Sequence, residues 1–321
     1  MDAAGFGADV AATPDSLRAL ADWLDQGGAR LPGPLGAGVD SVLLLGMGSS
    51  AYAAGIVAAR LRAAGVHAVA ELASTDLLPP VDPRTLVVAV SASGGSAETV
   101  AAARRYGGAG RLVAVTEDTS SPITQGADAV LPLLAGPEDG GVSCRSYRHT
   151  LAVLLALADQ LAPGLAPRLP TACRAAAEQT EALLRTADDW ADEVARLLDG
   201  PDGCFVVAPA ARLSSAQQSA LMLREGPRRS AHHAETGDWS HVDVYLTKTL
   251  DYRMLLMPGS AWDDELLRWT AGRDAKVVTV GATAPGARGH VPYDGWGDSN
   301  VALLTETTVA EVVAHRLWAA D

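Results

Sequence analysis

Cysteine is scarce in this chain of 321 residues: Cys144, Cys173 and Cys204 are odd in number and without CxxC spacing. That argues against a disulfide framework or a cysteine zinc site and suits a reducing cytosol. Basic charge is short as well. Lys and Arg number 25 against 38 Asp and Glu, a net charge of −13, which disfavours DNA, RNA or an anionic membrane as a partner. No apolar run reaches membrane-spanning length, and the start, Met1-Asp2-Ala3-Ala4-Gly5, lacks the basic region of a secretory signal. The expectation is a cytoplasmic protein with no nucleic-acid or membrane partner. Apolar material is plentiful: 48% hydrophobic residues against 20% charged ones supply a core and speak against wholesale disorder. An anionic ligand would need local help from helix N-termini, Arg or Lys.

The length suits two ordinary domains or one large α/β domain. Asp15 to Gln26 places Leu17, Leu20, Ala21 and Leu24 at helical spacing. Strands are then predicted over 41–45, 67–71, 86–90, 112–115 and 129–134, with helices over 51–64, 97–106 and 147–161. Pro163 to Pro170 interrupts the pattern, and a helical segment is predicted from Cys173 to Leu198. The alternation restarts with strands over 204–208, 252–257 and 276–280 and helices over 214–224, 262–271 and 309–319. Alternating strands and helices predict parallel sheets covered on both faces. The two halves resemble each other at low resolution, so two α/β units in tandem are expected, as a duplication would give. The boundaries follow as an N-terminal helical segment over 1–36, a first domain over 37–168 and a second over 169–321.

Two segments stand out. Gly46-Met47-Gly48-Ser49-Ser50 follows Val42-Leu43-Leu44-Leu45, and Ser91-Ala92-Ser93-Gly94-Gly95-Ser96 follows Leu86-Val87-Val88-Ala89-Val90. A buried strand that ends in Gly/Ser and turns into a helix leaves N–H groups and hydroxyls facing one spot. Two such turns from one sheet can hold a phosphate between them. A nicotinamide cofactor fits poorly, because the first loop lacks the third glycine of the dinucleotide pattern. The second half has no glycine signature: Ala208-Pro209-Ala210-Ala211-Arg212 stands where its first loop should be.

At these loops the chain resembles the sugar isomerase (SIS) domain family, with motifs ordered as in the isomerase half of glutamine–fructose-6-phosphate amidotransferase. The resemblance implies two SIS-type three-layer αβα units in tandem, flavodoxin-like, the first binding a sugar phosphate without a cofactor or metal. It puts Gly48, Ser49 and Ser50 in the first phosphate loop and Ser91, Ser93 and Ser96 in the second. Through Ala135-Gly136-Pro137-Glu138-Asp139-Gly140-Gly141-Val142-Ser143 it places Ser143 near the sugar. Leu221-Met222-Leu223-Arg224-Glu225-Gly226-Pro227 and Gly237-Asp238-Trp239-Ser240-His241 match the family's catalytic segments. By that likeness Glu225 shuttles a proton between C1 and C2, and His241, supplied by the neighbouring subunit of a homodimer, assists ring opening.

The chemistry stands independently. An aldose–ketose interconversion needs a base that takes a proton beside a carbonyl and returns it to the next carbon, work for a carboxylate of raised pKa. Exchange with a hemiacetal oxygen near neutral pH suits His. The plainer role for Glu225 is a solvated charge near a helix C-terminus, a place the helix dipole disfavours. For His241 it is a surface or interface histidine. His232, His233, Glu235 and Asp238 are read as a polar loop rather than a metal site. Arg145, Arg148 and His149 are read as flanking the phosphate or lying on a solvated face.

Met222 stands where the family's synthases have a lysine, and an apolar Met neither forms a Schiff base nor donates a proton. The sequence has no glutaminase-like segment, and it ends at Trp318-Ala319-Ala320-Asp321 before the synthase tail. The expectation is an aldose–ketose isomerase or an amino-sugar-phosphate deaminase or deglycase. Alternatives are a sugar-phosphate-sensing protein without catalysis, or a synthase subunit served by a separate glutaminase.

Overall fold

A computed structural model describes residues 1–108 and 111–321. In chain order it contains α1 (Ala3–Ala11), α2 (Thr13–Asp25), α3 (Gly33–Gly36), β1 (Ser41–Gly46), α4 (Ser49–Ala63), β2 (His67–Leu72), β3 (Thr85–Val90), α5 (Ala97–Tyr106), β4 (Arg111–Thr116), β5 (Ala129–Pro132) and α6 (Arg145–Leu161). Then come α7 (Leu169–Arg185), α8 (Ala187–Leu198), β6 (Cys204–Ala208), α9 (Leu213–Glu225), β7 (Ala231–Glu235), α10 (Thr236–Trp239), β8 (Arg253–Leu256), α11 (Asp263–Ala271), β9 (Lys276–Val280), β10 (Gly289–Val291), α12 (Ser299–Thr305) and α13 (Thr307–Ala320).

The chain divides into two compact units. One comprises Ser16–Pro137 and Arg145–Cys173 and holds the sheet β2-β1-β3-β4-β5. The other comprises Met1–Asp15, Glu138–Cys144 and Arg174–Asp321 and holds the sheet β10-β9-β8-β6-β7. Every strand pairing is parallel. The expected α/β architecture of two parallel sheets flanked by helices is therefore observed.

In the β1–β5 unit, Leu43, Leu45, Val87, Ala89 and Leu112 pack with Val100, Ala103 and Tyr106 of α5. The alternate residues Val42, Leu44, Leu86 and Val88 are buried too. Both faces are therefore covered, which is why these strands read as unbroken aliphatic runs. In the β6–β10 unit, Val206, Leu255 and Val278 pack with Val194 of α8, Ala216 and Ala220 of α9 and Val309 and Val313 of α13. Phe205, Val207, Met254 and Leu256 face Trp239 of α10 and Leu266 of α11 on the other side.

Two local differences from the pattern have identifiable causes. The helical segment expected over 173–198 is helical but divided into α7 and α8. Thr186 bonds back through Oγ1 to the Ala182 carbonyl at 3.0 Å, which ends one helix, and Asp188 and Asp189 favour the start of the next. The segment Ala231–Glu235, read as loop, is the edge strand β7. Its two exposed histidines break the apolar signal that marks the inner strands.

Candidate active site

The strand order fixes where a ligand can sit. β1 lies between β2 and β3, so the chain leaves β1 toward one side of the sheet and β3 toward the other. The crevice at the carboxyl ends of β1 and β3 is the topological switch point, the usual ligand position in such sheets. Both Gly/Ser loops open there.

In the first loop Gly48 has φ +50° and caps α4, and a Cβ there would meet nothing within 4 Å. The backbone angle, not crowding, calls for glycine. No side chain caps this helix start, which leaves its N-terminal field to a ligand. Ser49 and Ser50 form the first turn, half-buried. In the second loop Gly94 has φ +65°, and a Cβ would lie 1.8 Å from Ser121 Oγ. Only glycine fits. Ser91 is buried, with its N–H bonded to the Val115 carbonyl at 3.0 Å, while Ser93 is exposed and its Oγ accepts the Gly95 N–H at 3.3 Å.

Ser96 is the N-cap of α5. Its Oγ accepts from Thr99 N at 3.4 Å and donates to Glu98 Oε2 at 3.0 Å. The Glu98 backbone N–H and then the Ser96 hydroxyl hold the exposed Glu98 carboxyl below the usual range. Ser96 is thus committed to a capping role as well as facing the loop.

The remaining candidates lie in the other unit. Ser143 is half-buried, and its carbonyl accepts from Gln218 Nε2 of α9 at 2.7 Å. The same Nε2 reaches Met222 Sδ at 3.6 Å. Met222 is fully buried in the core of this unit. Glu225 ends α9, half-buried, and burial raises its carboxyl pKa against the opposing pull of Arg224. A carboxyl so placed is suited to both accept and return a proton. His241 is exposed beside a cavity of about 260 Å³ lined by Gly237, Ser240, Trp262 and Glu265. No hydrogen bond or ion pair joins Glu225 to His241 among the described residues.

Three readings change. Arg148 and His149 are not on a solvated face: both are buried in α6. His149 meets Ser16 Oγ through Nε2 at 2.7 Å and the Leu133 carbonyl through Nδ1 at 2.6 Å, and burial lowers its pKa to about 4. Arg145 donates to the Ala135 carbonyl at 2.9 Å and to the Pro137 carbonyl, fastening the chain beyond β5. The group His232, His233, Glu235 and Asp238 is not a loop but β7 and the start of α10. The His232 ring stacks on Phe205 at 5.2 Å, and Glu235 Oε2 accepts from Gly237 N and Asp238 N at 2.7 and 3.0 Å. No metal-binding cluster occurs among the described residues.

Some residues carry no sequence signal. Glu117, after β4, accepts from Ala135 N at 2.8 Å and Gly136 N at 3.0 Å. Arg212 is buried in the β6–β10 unit, 2.5 Å from the fully buried Glu306 and also bonded to the Pro258 carbonyl. It bridges the loops after β6 and β8, the switch point of the second sheet. That crevice is filled from within.

Residues 37–159 match the SIS domain. The SIS segment contains the whole first sheet and both Gly/Ser loops. Over 224 residues the chain is 29% identical to the isomerizing glutamine–fructose-6-phosphate aminotransferase of Aeropyrum pernix, covering 66% of this chain and 36% of that protein. It spans only about a third of the length of the curated relatives it matches. Tagatose-6-phosphate ketose/aldose isomerase from Escherichia coli superposes with a TM-score of 0.73 at 19% identity, over 97% of this chain and 92% of that one. Glucosamine-6-phosphate deaminase from Thermotoga maritima gives 0.70 at 18%, over 98% and 94%. At such identity these structures share the fold alone, and that fold serves both reactions.

Proposed function

We propose that this chain is a sugar-phosphate enzyme acting at C1 and C2 of its substrate, with aldose–ketose isomerisation as the first reading and removal of an amine from C2 as the second. The observation that carries it is the pair of Gly/Ser loops at the β1/β3 switch point, with one uncapped helix start. In this reading Gly48, Ser49, Ser50, Ser91, Ser93 and Ser96 hold the phosphate, and Ser143 lies near the sugar. Glu225 takes the proton from C2 of the aldose and delivers it to C1 of the resulting enediol, while the hydroxyl proton of O2 passes to O1, leaving a ketone at C2. His241 exchanges the proton that opens the ring. Exposed Val242, Tyr245 and Leu246 beside His241 support a homodimer in which His241 serves the partner's site. The three buried free thiols support a reducing, cytoplasmic setting. The fully buried Met222 favours the rival reading, a sugar-phosphate sensor without catalysis, since no lysine is available there.

Glu225→Gln separates the two. The native chain is expected to move solvent deuterium into C1 of fructose 6-phosphate and C2 of the aldose formed from it, with an acid limb above the ordinary carboxylate range because burial raises the Glu225 pKa. The variant should bind the sugar phosphate and exchange at least about 10²-fold more slowly. Binding without exchange by the native chain would leave the sensor; exchange undiminished in the variant would remove Glu225 from the mechanism.

A further inference from the structure

The β1–β5 unit has a cavity that the Gly/Ser loops do not touch. It measures about 240 Å³ and lies between the segment after α2, the C-terminal end of α6 and the first turn of α7. Leu24, Ala156 and Leu169 give it an apolar wall, and Arg30 and Arg168 line its mouth. α6 pins both sides. Gln160 Nε2 donates to the Ala29 carbonyl and its Oε1 accepts from Leu31 N, each at 2.9 Å. Asp159 Oδ1 accepts from Gly164 N at 3.1 Å and Ala166 N at 2.9 Å. That carboxylate is thereby spent on the loop.

The two arginines are not committed. Both are exposed, and neither has a hydrogen bond or ion pair among the described residues. Other arginines of this unit are used internally: Arg62 on the Ala68 carbonyl, Arg105 on that of Leu78, Arg111 on that of Leu35. Two unengaged guanidinium groups beside one cavity are unusual in a chain of net charge −13, and their planar forks match the oxygens of a phosphate. The start of α7 adds a favourable field. The site is separate from the Gly/Ser loops. Arg145 fastens the start of α6 at the carboxyl ends of the strands, and Asp159 lies 14 residues further on, about 21 Å along the helix.

We propose that this cavity is a second anion site, taking the phosphate group of a small phosphomonoester between Arg30 and Arg168. Isothermal titration of the whole chain with inorganic phosphate tests it. Two equivalents should bind per chain. The R30Q/R168Q double variant should weaken one class at least tenfold and leave the other unchanged. S50A/S93A should do the reverse, so failure of the loop reading is seen separately from failure of this one. Since both arginines are exposed, the double variant should melt like the native chain in phosphate-free buffer. Phosphate binding that is identical in native and R30Q/R168Q protein overturns the proposal, as does a native chain that binds no phosphate.

Discussion

Glu98 occupies the ground that a phosphate would need. It lies in the first turn of α5, exposed, with its carboxyl held below the usual range by its own backbone N–H and the Ser96 hydroxyl. At neutral pH it is an anion that satisfies the helix dipole internally. A phosphate arriving at Ser93 and Ser96 meets that charge and competes for the same donors. Glu98→Gln is therefore expected to tighten sugar-phosphate binding severalfold, because it removes a like charge from beside the loop. Titration at low and high salt checks it, and the gain should shrink with salt. A loss of affinity would show that Glu98 holds the loop rather than opposes the ligand. The residue scale also marks what the chain hides from inspection. Ser49, Ser50, Ser91 and Ser93 announce themselves because Gly and Ser cluster after aliphatic runs. Glu117 and Gln218 carry no such mark, since each bonds a backbone group distant in sequence.

Elements with strong apolar patterning were legible: β1, β3, β4, β6 and β9 lie within a residue of expectation because burial on both faces gives each a run of at least two consecutive aliphatic residues. Edge elements were not. β7 carries the exposed His232 and His233 on its two faces, and β10 has three residues, too short for any period to show. The absence of a glycine loop after β6 was legible, but not its consequence. Arg212 fills the crevice there, paired with Glu306, whose carboxyl pKa burial raises while Arg212 lowers it. Loss of one member of such a pair strands a buried charge or forces its protonation. Arg212→Met should cost about 3–5 kcal/mol, whereas Arg212→Met with Glu306→Leu should recover most of it. Urea unfolding midpoints decide between them. Equal losses in the single and double variants would mean that the pair is not what binds those loops.

At the scale of the molecule, the two groups of candidate residues fall in separate compact units, the Gly/Ser loops in one and Glu225, His241 and Ser143 in the other. The sequence shows that both groups exist, and the proposed function asks one site to draw on them, a demand that leaves only faint marks in a single chain. The proposed homodimer rests on the exposed Val242, Tyr245 and Leu246 next to His241, apolar area that a second copy would cover. If His241 serves the partner's site, Glu225→Gln and His241→Ala inactivate different components of each site. Each variant alone forms dimers with two defective sites. In a mixed dimer, one site joins an intact Glu225 from the His241→Ala chain to an intact His241 from its partner, and the other site is doubly defective. Random pairing makes half the dimers mixed, so remixed protein should regain roughly a quarter of native activity. Recovery should track mixed dimers measured by native mass spectrometry. Mixed dimers without recovered activity would place His241 in its own subunit's site, and monomers throughout would remove the shared site altogether.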